Sequence, residues 1–90
     1  MIIKVEYMAQ LKYAAGVTVE SFEIQQGNFS KLLEQILKKH ESLREYLVGA
    51  GNNLLPTIIA IVNNDQVIEM ESMSLHDGDE VVFLSPVSGG

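Results

Sequence analysis

The sequence contains no cysteine, which excludes disulfides, iron–sulfur clusters, thiolate nucleophiles and zinc fingers. Other groups that mark an active site are missing too. There is no Ser/His/Asp grouping, no phosphate-binding G-x-x-x-x-G-K and no cluster of metal ligands. The two histidines, His40 and His76, are far apart in the sequence, and we expect both to be exposed rather than catalytic. A stand-alone enzyme is therefore the least favoured class.

Long hydrophobic runs are absent as well. A bilayer span needs about 20 consecutive apolar residues, and no stretch of the chain comes near that length. The first residues include no basic segment followed by an apolar one, which a secretory leader would need. We therefore expect a cytoplasmic protein of one domain that does not contact membranes.

Lys and Arg are absent after Arg44, and the whole chain carries a net charge of −6. Binding to nucleic acid needs basic patches that displace counterions, so that class of function is disfavoured. The unopposed acidic side chains suit an electropositive partner, or else serve only solubility. They are Glu45, Asp65, Glu69, Glu71, Asp77, Asp79 and Glu80.

The N-terminal residues alternate in polarity. In "IIKVEYM" the side chains of Ile3, Val5 and Tyr7 share one face, which predicts a half-buried strand, and Met8 lies on the other face. "AQLKYAAG" follows with good helix formers and then Gly16, which suits the residue just beyond a helix C-terminus. We therefore predict a strand followed by one or two helical turns.

The next two segments differ in how clearly they are patterned. "VTVESFEI" predicts a second strand, but its apolar positions change parity between Val19 and Phe22, so we expect either a bulge or an ambiguous register there. "NFSKLLEQILKKH" predicts a helix of about three turns, with Asn28 as its N-cap. Its apolar stripe, which we expect to be core, consists of Phe29, Leu32, Leu33, Ile36 and Leu37.

The remaining residues predict mostly strands. Residues 41–56 suit a short irregular helix and a loop of Gly and Asn, whereas "TIIAIVN" and "NDQVIEM" suit a strand, a turn and a short returning strand. A polar turn at Asp77 to Asp79 precedes a last strand from Glu80 to Leu84. One helix stripe must then cover one face of a mixed sheet, which gives a two-layer α+β domain. The all-apolar last strand suits the sheet centre, beside the first strand, as in the ubiquitin-like β-grasp fold.

The last strand also predicts an exposed apolar patch. By alternation Phe83 and Val81 face the helix, so Val82 and Leu84 face outward. With Met8 they would form a patch suited to partner docking. The alternative is that they are scattered surface hydrophobic residues, which every protein has.

We predict that residues 85–90 form an extended C-terminal tail after a domain of residues 1–84. Pro86 fixes its own φ and holds Ser85 extended, and Gly89 and Gly90 fit where a backbone must pass closely. The six residues span about 20 Å, which is enough to reach a buried active site in another protein. The two glycines taken alone could also be a frayed end or a remnant of an expression vector.

The closing stretch "DGDEVVFLSPVSGG" closely resembles the C-terminus of the MoaD/ThiS sulfur-carrier family, which includes the small subunit of molybdopterin synthase. "MIIKVEYMAQLKYAAG" and "AIVNNDQVI" resemble the first strand and helix and a hairpin of that family. The resemblance covers most of the chain and is weakest from Glu41 to Pro56. Ser85 stands where the family usually has a proline, and Asn64 where a hairpin glycine is common.

The resemblance implies a sulfur-carrier small subunit of molybdopterin synthase, a non-catalytic subunit that donates sulfur for molybdenum cofactor biosynthesis. An E1-like adenylating enzyme would use ATP to activate the C-terminal carboxylate, sulfur would replace the adenylate, and the tail would enter the large subunit. This chain would bind no cofactor itself. The implied sites are Gly90 for the thiocarboxylate, Pro86, Val87, Ser88 and Gly89 for threading, and Leu84, Val82 and Met8 for docking.

Three alternatives remain open from the sequence. A sulfur carrier for thiamine thiazole synthesis uses the same tail chemistry, although the longer middle region and the P-V-x-G-G ending favour the molybdopterin pathway. A ubiquitin-like modifier would be joined to lysines of other proteins. A β-grasp binding module would have an inert tail.

Overall fold

Five strands form one mixed sheet in the part of the chain that the computed structural model describes, residues 1–25 and 27–85. The elements are β1 (Ile2–Tyr7), α1 (Gln10–Ala15), β2 (Val19–Glu23), α2 (Phe29–Lys39), α3 (Arg44–Leu47), β3 (Ile59–Val62), β4 (Asp65–Gln66) and β5 (Glu80–Leu84). Short 3-10 turns, Glu41–Leu43 and Ala50–Asn52, flank α3. The strand order is β2-β1-β5-β3-β4, which confirms the predicted β-grasp sheet with the last strand central.

The centre of the sheet is built from β1 and β5, which run parallel with Tyr7 opposite Phe83. Both side chains are 0% exposed. The ring centroid of Phe29 on α2 lies 5.6 Å from that of Phe83, so α2 covers this face of the sheet. Phe83 therefore lies in the core, as alternation predicts, and Val82 and Leu84 lie on the opposite face.

The sequence marks the start of α2 and the end of α1 correctly. The Asn28 side chain accepts a hydrogen bond from the Lys31 N–H at 3.3 Å, which caps α2. At the end of α1, Gly16 has φ 81° and its N–H donates to the Lys12 carbonyl at 2.9 Å. A left-handed φ favours glycine, which explains why the helix stops there. The buried stripe of α2 consists of Phe29, Leu32, Leu33, Ile36 and Leu37.

The predicted bulge in β2 was wrong. The pairing of β2 with β1 runs without interruption, with Glu6 opposite Val19, Val5 opposite Glu20 and so on to the end of β2. The parity changes because Val19 faces outward, 45% exposed, while the charged Glu20 faces inward. There Glu20 meets the end of α2, where His40 follows the last helical residue.

The prediction that His40 is exposed is therefore wrong. Its side chain is only 13% exposed, because its Nε2 lies 2.6 Å from Glu20 Oε2. The ring also packs edge-on against Tyr7, with centroids 6.1 Å apart. His76, whose side chain is 80% exposed, does lie at the surface as predicted.

Residues 41–56 contribute more to the core than their irregular sequence indicates. Leu43 and Leu47 are 0% exposed, and Val48 is also buried. An isolated bridge pairs Val48 with Leu54, and the Leu55 N–H donates to the Leu47 carbonyl at 2.8 Å. The segment that least resembles the MoaD/ThiS family therefore completes the core beside α2.

The hairpin from β3 to β4 turns at Asn63 and Asn64, which have φ values of 48° and 80°. Two left-handed residues match a tight hairpin turn, and asparagine tolerates that conformation better than most residues. Asn64 therefore occupies the usual glycine position without disrupting the hairpin. Across the described ranges, no helix has the length and apolar character needed to cross a bilayer.

Candidate functional site

The face of the sheet opposite α2 carries an apolar surface, called here the outer patch. It spans three adjacent strands, because Leu84 lies opposite Ile59, and Val82 lies opposite Ile61. Met8 follows β1 and donates its N–H to the Phe83 carbonyl at 3.0 Å, which places Met8 beside Leu84. The outer patch is thus defined by Met8, Ile59, Ile61, Val82 and Leu84.

The structure brings together the three residues that the sequence assigned to docking and adds two. Met8 is 44% exposed, and the other four side chains are partly exposed. Ile59 and Ile61 were missed, although a signal was present. In "TIIAIVN" the run has no polar residue at alternate positions, so one apolar row had to face away from the core. The docking role of the outer patch stays a prediction.

The outer face is polar toward the start of β5. Lys4 pairs with Glu80 across the parallel strands, and Glu6 pairs with Val82. Lys4 and Glu80 are exposed. Apolar side chains are therefore concentrated where β5 ends at Leu84, and charged side chains lie where it begins.

The D-G-D turn fixes the start of β5. Asp77 Oδ1 accepts the Ile2 N–H at 2.7 Å, and the Gly78 N–H donates to the Ile2 carbonyl at 2.9 Å. Gly78 has φ 89°, a conformation that favours glycine. Asp77 and Gly78, which open the closing motif, therefore attach the turn to β1.

Asp79 also stabilises this turn, through both oxygens of its carboxylate. Its Oδ1 accepts from the Asn63 side-chain amide at 2.7 Å, and its Oδ2 accepts the His76 N–H at 2.8 Å. The Asn63 side-chain oxygen in turn accepts the Glu80 N–H at 2.9 Å. These bonds join the turn to the β3–β4 hairpin, so the part of the closing motif before β5 holds that strand in place.

Tail threading and the reactive terminus were predicted for Pro86, Val87, Ser88, Gly89 and Gly90, which lie outside the described residues. What the structure describes is the point from which the tail begins. β5 ends at Leu84, inside the outer patch, and Ser85 follows it. The division into residues 1–84 and 85–90 stays a prediction.

A buried polar cluster lies on the core side of the sheet, where β1, β2 and the end of α2 meet. The Tyr7 hydroxyl donates to Glu20 Oε2 at 2.7 Å, and Lys39 Nζ lies 2.8 Å from Glu20 Oε1. Burial, followed by the Glu20 carboxylate, raises the pKa of the Tyr7 hydroxyl. Burial alone would raise the pKa of Glu20, but hydrogen bonds from Lys39, Tyr7 and His40 lower it below its usual range. The cluster joins two strands to the helix and is structural.

No group of three or more His, Asp or Glu side chains in the two described ranges could hold a metal ion.

Comparison with known proteins identifies the family. The family model that matches residues 5–90 is that of the ThiS family. The chain belongs to the ThiS family. The molybdopterin synthase sulfur carrier subunit of Chlamydomonas reinhardtii is 34% identical over 91 residues, which covers 100% of both chains. Ubiquitin-related modifier 1 of Mycosarcoma maydis is 42% identical over 65 residues, which covers 70% of this chain and 61% of that one.

Solved structures agree on the fold. SAMP1 from Haloferax volcanii superposes with a TM-score of 0.90 over 100% of both chains, at 21% identity. A chain of the complex of subunits 1 and 2 of molybdopterin-converting factor from Helicobacter pylori gives a TM-score of 0.65 over 100% of both chains, at 22% identity. At 21% and 22% identity, these similarities show that the chain shares the fold of both proteins, but they do not show its function.

Proposed function

We propose that the protein is the sulfur-carrier small subunit of a molybdopterin synthase, with sulfur held as a thiocarboxylate on Gly90. The observation that carries the proposal is the match along the whole chain to a relative named as such a subunit. The match covers 100% of this chain and so extends over Gly89 and Gly90, where the chemistry would take place. The chain would be the non-catalytic subunit, and its partner would supply the acid and base groups.

The position of the outer patch supports this proposal. Leu84 belongs both to the patch and to the end of the last strand, so a partner that covers the patch also lies where the tail begins. Burial of an apolar patch of this kind on docking is favourable, because it removes apolar surface from water. In the structure from Helicobacter pylori, a protein of the same fold is found with subunit 2 of its factor. We propose the corresponding large subunit as the partner here.

The proposed chemistry has two steps before transfer. The Gly90 carboxylate attacks the α-phosphorus of ATP on an E1-like activating enzyme, which gives an acyl adenylate and releases pyrophosphate. A donor that supplies sulfur at the sulfide level (HS⁻) then attacks the acyl carbon. A C–S bond forms, AMP leaves, and the terminus is a thiocarboxylate. ATP would thus be consumed on the activating enzyme, and we propose no resident cofactor for this chain.

The test is the intact mass of the chain after incubation with a cognate activating enzyme, ATP and a sulfur donor. We expect the exchange of one terminal oxygen for sulfur. Deletion of Gly90, or addition of one residue after it, should abolish the exchange and leave the melting temperature unchanged. A second sulfur carrier, incubated in parallel with the same enzyme, is the positive control. If that carrier is modified and the mass of this chain is unchanged, the proposal is overturned.

A protein modifier is the second candidate, favoured by the match to ubiquitin-related modifier 1. In that case Gly90 would form an amide with lysines of other proteins. The distinguishing measurement is a tagged chain expressed in cells and analysed after denaturation. Adducts that survive denaturation and carry Gly90 on a lysine support the modifier.

A carrier for thiazole synthesis would undergo the same activation and is distinguished by its acceptor. The thiocarboxylated chain should convert a pterin precursor when mixed with a molybdopterin synthase large subunit. Conversion with a thiazole synthase instead would favour the thiazole pathway.

A further inference from the structure

We propose that a second groove, separate from the outer patch, binds a short basic segment of a partner protein. This side groove lies between the loop before β3 and the chain that follows β4, and its volume is about 430 Å³. It is defined by the apolar side chains of Leu54, Leu55, Ile68 and Met70 and the acidic side chains of Glu69 and Glu71. None of these residues belongs to the outer patch.

The first wall of the side groove is held in place by backbone hydrogen bonds. The Gly49 N–H donates to the Asn53 carbonyl at 2.9 Å, and the Leu55 N–H donates to the Leu47 carbonyl at 2.8 Å. The Ile58 N–H then donates to the Leu55 carbonyl at 3.0 Å. This wall needs little ordering when a ligand binds, which lowers the entropic cost of binding.

The second wall is attached to the sheet and to α2. The Val67 N–H donates to the Ala60 carbonyl at 2.8 Å, which extends the pairing of β3 with β4. At its far end, the Asn28 side-chain amide donates to the Glu71 carbonyl at 3.0 Å. Both walls are thus fixed by the fold, and the groove between them is preformed.

The apolar lining is accessible. Ile68 is 82% exposed, and Leu54, Leu55 and Met70 are partly buried against the core. An isolated exposed hydrophobic residue is ordinary, but four that line one groove form a site for an apolar side chain. Met70 adds a flexible, polarizable surface that adapts to different ligands.

The charge of the side groove selects a basic ligand. Glu69 and Glu71 accept hydrogen bonds from the hydroxyls of Ser72 and Ser30, at 3.2 and 3.4 Å. Neither glutamate takes part in any salt bridge between residues of the described ranges. A ligand cation can therefore approach both carboxylates without displacing a cation of this chain.

Two basic side chains, Lys38 and Arg44, line an adjoining pocket. That pocket shares Asn53, Met70 and Glu71 with the side groove, but Lys38 and Arg44 do not line the side groove. Arg44 is engaged locally, because its Nη1 donates to the Asn52 side-chain oxygen at 3.0 Å. The side groove itself presents acidic and apolar groups.

The ligand that fits is a peptide segment in which one apolar side chain is flanked by Lys or Arg. The apolar side chain would contact Leu55 and Met70, and the cations would pair with Glu69 and Glu71. Charge complementarity of this kind increases the rate of association and selects the partner. Because the groove and the outer patch share no residue, a partner could hold this chain while the patch is occupied. The inference does not depend on the proposed sulfur chemistry.

The test uses the full 90-residue chain, biotinylated through an N-terminal tag, to select binders from a phage library of random heptapeptides. We expect the selected peptides to contain an apolar residue flanked by Lys or Arg and to bind more weakly at high salt. Addition of one such peptide to the ¹⁵N-labelled chain should shift the amide signals of residues 53–55 and 67–71. Enrichment of acidic or neutral peptides, or of no sequence, would overturn the proposal.

Matched variants locate the binding site. Ile68→Ser and Glu69→Lys should each weaken peptide binding at least tenfold, and both positions are exposed enough to leave the fold intact. Tyr13→Ser, at a position 79% exposed, and Glu45→Lys are the matched controls and should leave affinity unchanged. Loss of binding in Leu84→Glu with retention in Ile68→Ser would assign the peptide to the outer patch, and the side groove would be rejected.

Discussion

The two faces of β5 have nearly the same composition and different environments. Val81 and Phe83 are 1% and 0% exposed under α2, whereas Val82 and Leu84, on the opposite face, are only partly buried. Hydrophobicity alone does not separate a core position from a surface position on such a strand. The difference arises because one helix covers one face of the sheet. The inner face stabilises the fold, and we propose that the outer face stabilises a complex.

Truncation of the inner face should give the largest effect. Phe83→Ala removes a fully buried ring that packs against Phe29 and Tyr7, so we expect a loss of about 3–5 kcal/mol in the free energy of unfolding. Such a loss threatens a small domain, since total stabilities are about 5–15 kcal/mol. Urea denaturation measures it, with Leu84→Ala as the control. Equal losses in the two variants would contradict the difference between the faces.

The Glu20 carboxylate, whose side chain is 9% exposed on the inner face, gives the next effect. Glu20→Leu leaves the buried Tyr7 hydroxyl without its acceptor, and we expect a loss of about 1–3 kcal/mol. Addition of Tyr7→Phe to this variant should restore part of the stability, because both polar partners are then gone. Urea denaturation of the two single variants and the double variant completes the cycle. Additive losses would show that the hydroxyl and the carboxylate are not coupled.

The same carboxylate predicts a pH dependence of stability. Because folding lowers the pKa of Glu20 below its usual 4.5, its contribution is present above about pH 4.5 and is lost as the pH falls through the folded-state value. Folding raises the pKa of Tyr7, so its contribution is present below pH 10 and is lost as the pH rises further.

Denaturation midpoints at a series of pH values measure both effects. Glu20→Gln should flatten the acid decline, and Tyr7→Phe should flatten the alkaline one. Identical acid profiles for wild type and Glu20→Gln would show that Glu20 does not cause the loss of stability at acid pH.

The outer face should give the smallest change in stability. Leu84→Glu and Ile61→Glu replace partly exposed side chains, so we expect changes within about 0.5 kcal/mol, as at most surface positions. Both variants should weaken binding to a large subunit at least tenfold, since docking would bury an unpaired charge. Lys4→Glu, at the polar end of the same face, is the control in calorimetric titrations. Unfolding of Leu84→Glu, or unchanged binding, would contradict the docking role.

Local sequence patterns determined most of the secondary structure. The i, i+3, i+4 spacing from Phe29 to Leu37 predicts α2 with its buried face, since a helix places those positions on one side. Gly16 and Asn28 mark helix ends because their local chemistry satisfies or terminates the backbone pattern. The alternation of Ile3, Val5 and Tyr7 predicts the buried face of β1, because alternate side chains of a strand lie on the same face of the sheet.

The sequence by itself therefore determined most of the elements and their order, which gives the β-grasp fold, because these follow from local periodicity. The family followed from the resemblance of the closing stretch. Tertiary structure alone decided three further features. It placed Ile59 and Ile61 opposite Leu84 and Val82, turned Glu20 inward to His40, and brought Leu55 and Met70 to the lining of one side groove. Each depends on contacts between residues that are distant in the chain. Local periodicity assigns a side chain to a face, but the partner that it meets there depends on how the strands and loops pack together.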